Sequence, residues 1–341
     1  MTSPLFHPPS RNPRLDFLKL LLIAAVVAGH VIERYSLGQG QIIYRWIYLI
    51  HMPAFIFLSG MLSSELLDPQ RGRRLFAVVV LPLLVHHAVL KGLDAWLFER
   101  PFVLNPGVPY WALWYLMSLL TWRLLLPLVC GSGFPLILAV AASLVAGCFQ
   151  DFGYAWSLSR TFVFLPFFVA GHLYATRHGR QLAAPTPRSI ALAAGLLLSL
   201  LGIALLTRDV PIHWLYASFA YEVFADSQWK GAALRALQLA AGAAGILAII
   251  RLAFSVPWLA RHGQYSMCVF ISHIYLLKTA EARHWFDLLP QHGFPTRIAM
   301  VVLCVLACTL VGVLLGRLLP QAFDFSWIYR LGRHPRPAAT A

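Results

Sequence analysis

Four ionisable side chains share one face of the first apolar stretch of the chain, residues 14–34. They are Asp16, Lys19, His30 and Glu33, and mainly aliphatic residues separate them. At about 100° per residue, a helix returns to within roughly 20° of the same face between Lys19 and His30. A rise of about 1.5 Å per residue puts His30 roughly 16 Å above Lys19, near the middle of a bilayer if Lys19 marks its surface.

A histidine at that depth indicates acid–base chemistry, because ionisable groups inside a membrane are costly and usually functional. Neutral His30 would serve as a general base, and Glu33, one turn further on, would fix its tautomer and stabilise the imidazolium. Simpler interpretations stay open. His30 is then a neutral core histidine, and Glu33 a solvated carboxylate paired with Arg34 or Arg45. Lys19 equally suits a side chain that extends to the membrane surface.

The second apolar stretch, residues 44–62, adds another imidazole. His51 precedes Pro53, which removes a backbone donor and predicts a kink. Ser59 and Gly60 offer a hydroxyl and a close approach for a neighbouring helix. Kinking and small-residue packing explain the proline, serine and glycine but not the histidine. His51 is therefore a candidate to support the site or to hold a substrate hydroxyl.

The composition predicts an all-α polytopic membrane protein. Hydrophobic residues make up 59% of the chain and charged residues 12%, and many apolar runs reach about 17–25 residues, the length of a membrane-spanning helix. The net charge of +14 does not indicate nucleic-acid binding, because no basic patch is interleaved with exposed aromatic residues. The five cysteines lack the spacing of a metal site or of a paired framework, so no metal is expected.

Ten apolar segments predict about ten transmembrane helices in a single bundle. Their approximate limits are 17–34, 44–62, 75–97, 111–129, 133–149, 160–176, 189–207, 231–254, 265–281 and 297–319. With the N-terminus inside, the cytoplasmic segments hold nearly twice as many Lys and Arg residues as the outer ones, so both termini are expected to be cytoplasmic.

This orientation divides the chain into three predicted parts. They are a cytoplasmic N-terminal tail at 1–13, a transmembrane domain at 14–320 and a basic cytoplasmic C-terminal tail at 321–341. The start of the chain also resembles a cleavable signal peptide. Lys19 inside the apolar run, and the many spans beyond it, favour an uncleaved first helix.

The predicted outer loops are rich in aromatic residues, as is typical of a membrane–water interface. Residues 213–224 predict an aromatic helix lying along that interface. His172 and His213 are interpreted as interface residues. His86 and His87 point to different sides of one helix, so at most one is expected to face the bundle, and neither is given a role.

The first two spans resemble the acyltransferase-3 family of integral-membrane acyltransferases. The likeness rests on D-x-x-K followed by ten residues and a histidine at 16–30, and on HMPAFIFLSG at 51–60. Three later stretches are similar to family motifs: WALWYLMSL at 111–119, FLPFFVAGHLY at 164–174 and SMCVFISHIYLL at 266–277. The chain most resembles the branch described as fucose 4-O-acetylase-like sugar O-acetyltransferases.

The resemblance implies transfer of an acyl group, usually acetyl, from cytoplasmic acyl-CoA to a hydroxyl of a cell-surface glycan or lipid-linked sugar. It implies a multi-pass protein of the bacterial cytoplasmic (inner) membrane, in contact with membrane lipid, with acetyl-CoA as co-substrate and no metal. His30, Glu33 and His51 would be catalytic, with His30 as general base or as an acyl-imidazole relay. The residues expected to bind the acceptor are Ser59, Trp114 and His273.

Basic residues on the cytoplasmic side suit a donor with several phosphates. The residues predicted to bind acyl-CoA are Arg14, Lys19, Arg71, Arg73 and Arg74. Lys19 stands where many members of the resembled family have Arg, so a phosphate contact there would lack the bidentate fork.

A transporter or flippase is the alternative from a different class. It would use His30, Glu33 and His51 as a proton relay within the bundle. Dependence on acyl-CoA separates the two hypotheses, because a transporter should neither bind nor hydrolyse it. A structural or assembly subunit is a third interpretation, and the ionisable face of the first helix disfavours it.

Overall fold

A computed structural model describes residues 12–35, 40–66, 68–287 and 293–331. The described residues are 78% helix and form no strand. The predicted all-α fold is therefore confirmed. Residues 1–11 and 332–341 of the two predicted tails, including Arg11, Arg333 and Arg336, lie outside the described residues.

Ten helices longer than ten residues occur in these ranges, and each coincides with one predicted span. They are α1 (Pro13–Ile32), α2 (Gly40–Met61), α3 (Pro69–Leu97), α4 (Trp114–Gly131), α5 (Pro135–Ala146), α6 (Leu158–His178), α7 (Pro187–Leu206), α8 (Gln228–Arg251), α9 (Ser266–Ala282) and α10 (Phe294–Leu318). Eight of these described helices are long and apolar enough to cross a membrane, whereas α5 has 12 residues and α9 has 17.

The first helix lies inside the bundle. Asn12 caps it by accepting hydrogen bonds from the backbone amides of Arg14 and Leu15, which would otherwise lack a partner. Ile23 and Val27 are fully buried. In contrast, only 17% of the most apolar windows of α7 and α10 is buried, as expected of helices that face lipid. The bundle thus holds α1 and its ionisable residues away from lipid.

Helices α2 and α6 pack backbone against backbone. A Cβ added to Gly60 would collide with the carbonyl oxygen of Phe168, and one added to Gly171 would collide with that of Phe57. Only glycine permits this approach, and small residues at such crossings are typical of membrane helices. The contact fixes the C-terminal half of α2, which contains the residues that follow His51.

Two predicted elements differ from the structure. The third span begins at Pro69 and not near residue 75, because Asp68 caps it and a π-helical turn, Phe76–Val80, joins its two parts. The predicted single helix at 213–224 is wrong. The helix His213–Tyr216 ends where Ala217 adopts a left-handed φ of 57°, and a 3₁₀ turn follows at Tyr221–Val223.

Candidate active site

A cavity of about 320 Å³ opens where α1, α2, α4 and α6 meet the loops around residues 110 and 216. We call it the histidine cavity. Both imidazoles singled out in the sequence line it, and the other lining residues that matter here are Glu33, Trp111, Trp114 and Tyr216. It is small, largely aromatic and supplied with a few polar groups, as is usual for ligand sites.

The imidazole of His30 contacts two other rings, Trp111 in the cavity lining and His273 behind it. Its centroid is 4.4 Å from that of Trp111 and 5.5 Å from that of His273, with the two imidazole planes 12° apart. Its Nδ1 is 3.5 Å from Oε2 of Glu33. With the proton on Nδ1, facing the carboxylate, Nε2 is the nitrogen that can accept a proton from a substrate.

Glu33 connects His30 of α1 to Tyr216 in the helix His213–Tyr216. Its Oε1 accepts a hydrogen bond of 3.3 Å from the hydroxyl of Tyr216. Burial opposes its ionisation, but the hydrogen bond and charge of His30, with the charge of Arg34, outweigh burial and lower the pKa of Glu33. Arg34 forms an ion pair with Glu281 at 2.6 Å, and Arg45 donates to the backbone carbonyls of residues 208 and 210.

His51 lines the same cavity and is 3% exposed. Its Nδ1 is 2.7 Å from the carbonyl oxygen of Ile47, so this nitrogen carries a proton and Nε2 is the acceptor. The ring of Tyr48 packs edge-on against it at 4.7 Å. His51 is therefore an oriented imidazole in the same cavity as His30.

The three residues predicted to bind the acceptor lie in three different places. Trp114 lines the histidine cavity and stacks on Phe164 at 5.8 Å. His273 is fully buried behind His30 and does not line the cavity. Ser59 lies outside the histidine cavity, and its hydroxyl is 2.6 Å from that of Tyr115. Ser59 and His51 lie on the same helix, α2, but they line different cavities.

A second cavity of about 370 Å³ lies on the other side of Tyr115. We call it the basic cavity, because Lys19 and Arg123 line it together with mainly apolar residues. Lys19 also forms an ion pair of 2.5 Å with Asp16, one turn before it. The ionisable face of α1 thus supplies residues to both cavities, with Lys19 in one and His30 in the other.

The remaining predicted donor-binding cations lie outside this cavity. Arg14 donates to the carbonyl of Leu182 at 2.7 Å, and Arg71, Arg73 and Arg74 are exposed on the first turns of α3. Arg71 also pairs with Asp68 at 3.2 Å. None of these four arginines lines the basic cavity in the described structure.

Sequence reasoning missed Arg123. Its positive charge is close enough to Arg71, Arg74 and Arg180 for each to repel it, and its Nε is buried without a hydrogen-bond partner in the described chain. A cation inside the apolar run LLTWRLLLP was the available signal. Arg71 and Arg74 of α3, and Arg180 just after α6, therefore lie near Arg123, which lines the basic cavity.

An aromatic layer separates the two cavities. It consists of Phe55, Tyr115 and Phe270, with the ring of Tyr115 5.3 Å from each of the other two. All three rings line the basic cavity, while Met52 and Trp114, their neighbours along α2 and α4, line the histidine cavity. The two cavities thus approach each other to about one helical turn.

Three other histidines differ from their predicted environments. His86 and His87 are both buried, because His86 contacts the Tyr275 hydroxyl at 2.9 Å while His87 accepts from the amide of Tyr110 at 3.0 Å. His172 is not an interface residue but is buried, with Nε2 2.6 Å from Oε1 of Glu65.

Long-range packing also creates a group that spacing could not reveal. The ligand atoms of Glu65, Cys130 and His172 lie within 4.8 Å of one another, and all five cysteines are free. The hydrogen bond between His172 and Glu65 explains this proximity without a metal.

The fold and the two cavities define a class of protein, a helical integral-membrane protein with a histidine–glutamate pair in one of its cavities. Residues 12–317 match the acyltransferase domain of the acyltransferase-3 family. The match covers nearly the whole chain, so the chain belongs to this family and is a membrane acyltransferase. No curated protein and no solved structure matches it.

Proposed function

We propose that this protein is an O-acyltransferase of the bacterial inner membrane. It moves an acyl group, acetyl by preference, from cytoplasmic acyl-CoA to a hydroxyl of a cell-surface glycan or lipid-linked sugar, as in the fucose 4-O-acetylase-like branch. The observation that carries the proposal is the His30–Glu33 pair, which lies one aromatic layer away from a cavity lined by Lys19 and Arg123.

The basic cavity is proposed to receive the donor. Arg71, Arg74, Arg123 and Arg180 would bind the phosphates of acyl-CoA, and Lys19 would add a point charge deeper in the cavity. The apolar lining suits the uncharged arm that carries the thioester. The excess of Lys and Arg on this side of the predicted spans makes it the cytoplasmic side.

The histidine cavity is proposed to receive the acceptor. Trp111, Trp114 and Tyr48 supply ring faces that suit a sugar. Nε2 of His30 takes the proton of the sugar hydroxyl while its oxygen attacks the thioester carbonyl. The carbon–sulfur bond then breaks, and the departing thiolate takes the proton from His30, so that ester and free CoA are formed.

Glu33 and His51 act around this step. The ionised carboxylate of Glu33 holds the tautomer of His30 and stabilises its charged form. Neutral His51, with Nε2 as an acceptor, orients the attacking hydroxyl. A covalent acyl group on His30 is the mechanistic variant. The match to the acyltransferase-3 family gives no support to the transporter alternative.

The test is transfer of labelled acetyl from acetyl-CoA to endogenous glycan in membranes that contain the protein. Wild type should label the glycan, and His30→Ala should reduce labelling at least about a hundredfold, the usual size of a general-base contribution. His284→Ala, whose side chain is 80% exposed, is the matched control and should behave as wild type.

Two results would contradict the proposal. Equal labelling by wild type and His30→Ala would remove His30 as the base. Absence of both labelling and acetyl-CoA binding by the purified protein would remove acyl-CoA as the donor.

A further inference from the structure

The histidine cavity contains more positive than negative side chains. Lys91 and Arg160 both line it, and among the described lining residues Glu33 is the one carboxylate. Because Glu33 is already hydrogen-bonded to His30 and Tyr216, it does not neutralise these two cations by direct contact.

Lys91 has no carboxylate within 4.0 Å in the described chain. Its ammonium lies 5.7 Å from the ring centroid of Tyr110. Asp94, one turn further along α3, is a possible partner by spacing. The Asp94 carboxylate instead accepts the hydroxyl of Tyr110 at 2.6 Å and lies 3.9 Å from Arg100. The charge of Lys91 is therefore directed toward the cavity without an anion.

Arg160 has only neutral hydrogen-bond partners among the described residues. It donates to the carbonyl of Tyr216 at 3.2 Å and to the hydroxyl of Ser218 at 3.4 Å. Its guanidinium carbon lies 5.0 Å from the ring centroid of Trp114 and 5.1 Å from that of Tyr154. A guanidinium has five donors, and cation–π contacts replace a counter-ion incompletely.

Neighbouring cations at the same end of the bundle are paired. Arg34 and Lys278 bind the two oxygens of Glu281 at 2.6 and 2.9 Å. Arg34 and Lys278 are thus paired with a carboxylate, whereas Lys91 and Arg160 line the cavity without an ion pair in the described chain. The charge of Glu33 attracts Arg160 only at longer range. Holding such charges away from water is costly unless an anion pairs with them.

We propose that the acceptor carries a negatively charged oxygen group next to its acylated sugar, bound jointly by Lys91 and Arg160. The group is the carboxylate of an acidic sugar or the phosphate that links a sugar to a lipid. The planar guanidinium suits either oxyanion, and the ammonium adds a point charge. This inference rests on the proposed function for the identity of the cavity as the acceptor site, but its binding test does not require acyl transfer.

The experiment compares three soluble probes on the full chain purified in an uncharged detergent. They are methyl glucuronide, glucose 1-phosphate and methyl glucoside, and binding is measured by saturation-transfer NMR. At least one charged probe should bind about tenfold or more tightly than the neutral glucoside, the difference expected of one charge-assisted hydrogen bond. The charged probe that binds more tightly identifies the source of the oxyanion.

Variants of Lys91 locate the binding site. Lys91→Met should remove the preference for charged probes, and Lys91→Arg, which keeps the charge, should retain most of it. Lys230→Met is the control, because Lys230 is paired with Asp226 outside the cavity. Equal binding of the three probes, no binding of any of them, or an unchanged preference in Lys91→Met would overturn the inference.

Acyl transfer measured on the same preparations distinguishes this inference from the proposed function. Selective binding of charged probes without any transfer of acetyl would contradict the function and leave the anion site standing. Transfer of acetyl to the glucuronide and the glucoside at equal rates would support the proposed function and contradict the anion site.

Discussion

The imidazole of His273 stacks on that of His30, with centroids 5.5 Å apart and planes at 12°. His273 is fully buried, and its Nδ1 lies 3.3 Å from the carbonyl oxygen of Val269. The ring is thereby held to α9, and it forms the surface against which His30 rests. Aromatic pairs of this kind contribute about 0.5–1.5 kcal/mol beyond buried area, which is enough to select one orientation of His30.

His273 is therefore expected to position the proposed base and not to touch substrate. His273→Ala should lower kcat for acetyl transfer about tenfold, with little change in the KM for acetyl-CoA, because His30 loses its support. His273→Phe restores a stacking ring without a titratable group and should recover most of the activity. Equal loss of kcat in the two variants would contradict a positioning role.

Glu33→Gln should lower kcat about a hundredfold, because an amide cannot stabilise the imidazolium of His30. The lowered pKa of Glu33 keeps its carboxylate ionised above its ordinary value of 4.5. Any stabilisation from this charge is thus present above that pH and is lost as the pH falls through the lowered pKa. The loss of kcat should accordingly be similar at about pH 6 and about pH 8.

A pH–rate series on purified protein measures this effect. Glu222→Gln is the control, since Glu222 is an exposed acid at the same end of the bundle that contacts Gln150. Wild-type activity in Glu33→Gln would show that the carboxylate has no part in the step.

Arg123→Gln should raise the KM for acetyl-CoA about tenfold, because a partly buried charge proposed to bind the donor phosphates is lost. The KM for a short acetyl thioester without phosphates should stay the same. Steady-state kinetics with both donors measures the difference. Arg208→Gln, an exposed cation paired with Asp209, serves as the control. An equal rise for both donors would place Arg123 outside the phosphate site.

Phe55→Ala should relax the selection of acyl chain length. Removing this ring opens the aromatic layer beside Tyr115, so the rate with butyryl-CoA relative to acetyl-CoA should rise about tenfold, the lower end of the discrimination expected between small apolar groups. Phe76→Ala alters an exposed phenylalanine on α3 and should leave the ratio unchanged. An unchanged ratio in Phe55→Ala would mean that the acyl group does not pass this layer.

Gly171→Leu should destabilise the bundle by about 3 kcal/mol, because the new side chain meets the backbone of Phe57 on α2. Thermal unfolding in detergent, followed by circular dichroism, measures the loss. Gly195→Leu on α7 adds the same atoms where no heavy atom lies within 4 Å of the new Cβ. Equal midpoints for the two variants would show that the α2–α6 contact does not limit stability.

Much of the fold was predictable because membrane spans depend on local composition. Hydropathy and length located all ten helices, although the start of α3 was missed. Asp68 and Pro69 form a recognisable N-terminal cap. The residues that follow are polar, however, so hydropathy does not assign them to a membrane span. The break at Ala217 was not predictable, because the hydroxyl of Ser159 on α6 binds its carbonyl at 2.8 Å, and that is a tertiary contact.

In the candidate site, too, contacts between neighbours along the chain were predictable, and contacts made by tertiary packing were not. His30 and Glu33 meet because they are three residues apart on consecutive helical turns, and helical geometry alone places them together. Arg160, Tyr216 and His273 join them through loops and distant helices. Their approach depends on the packing of the whole bundle, which a single sequence does not encode in any short pattern.

The thinness of the aromatic layer has an electrical consequence. Two aqueous cavities entering from opposite faces would concentrate most of the membrane voltage across Phe55, Tyr115 and Phe270. A full charge that crossed it would exchange about 2.3 kcal/mol for every 100 mV. Under the proposed function, an uncharged acyl group would cross at no such cost, while the phosphates of the donor and an acidic acceptor would stay on their own sides. The layer would then act as an electrical insulator during acyl transfer.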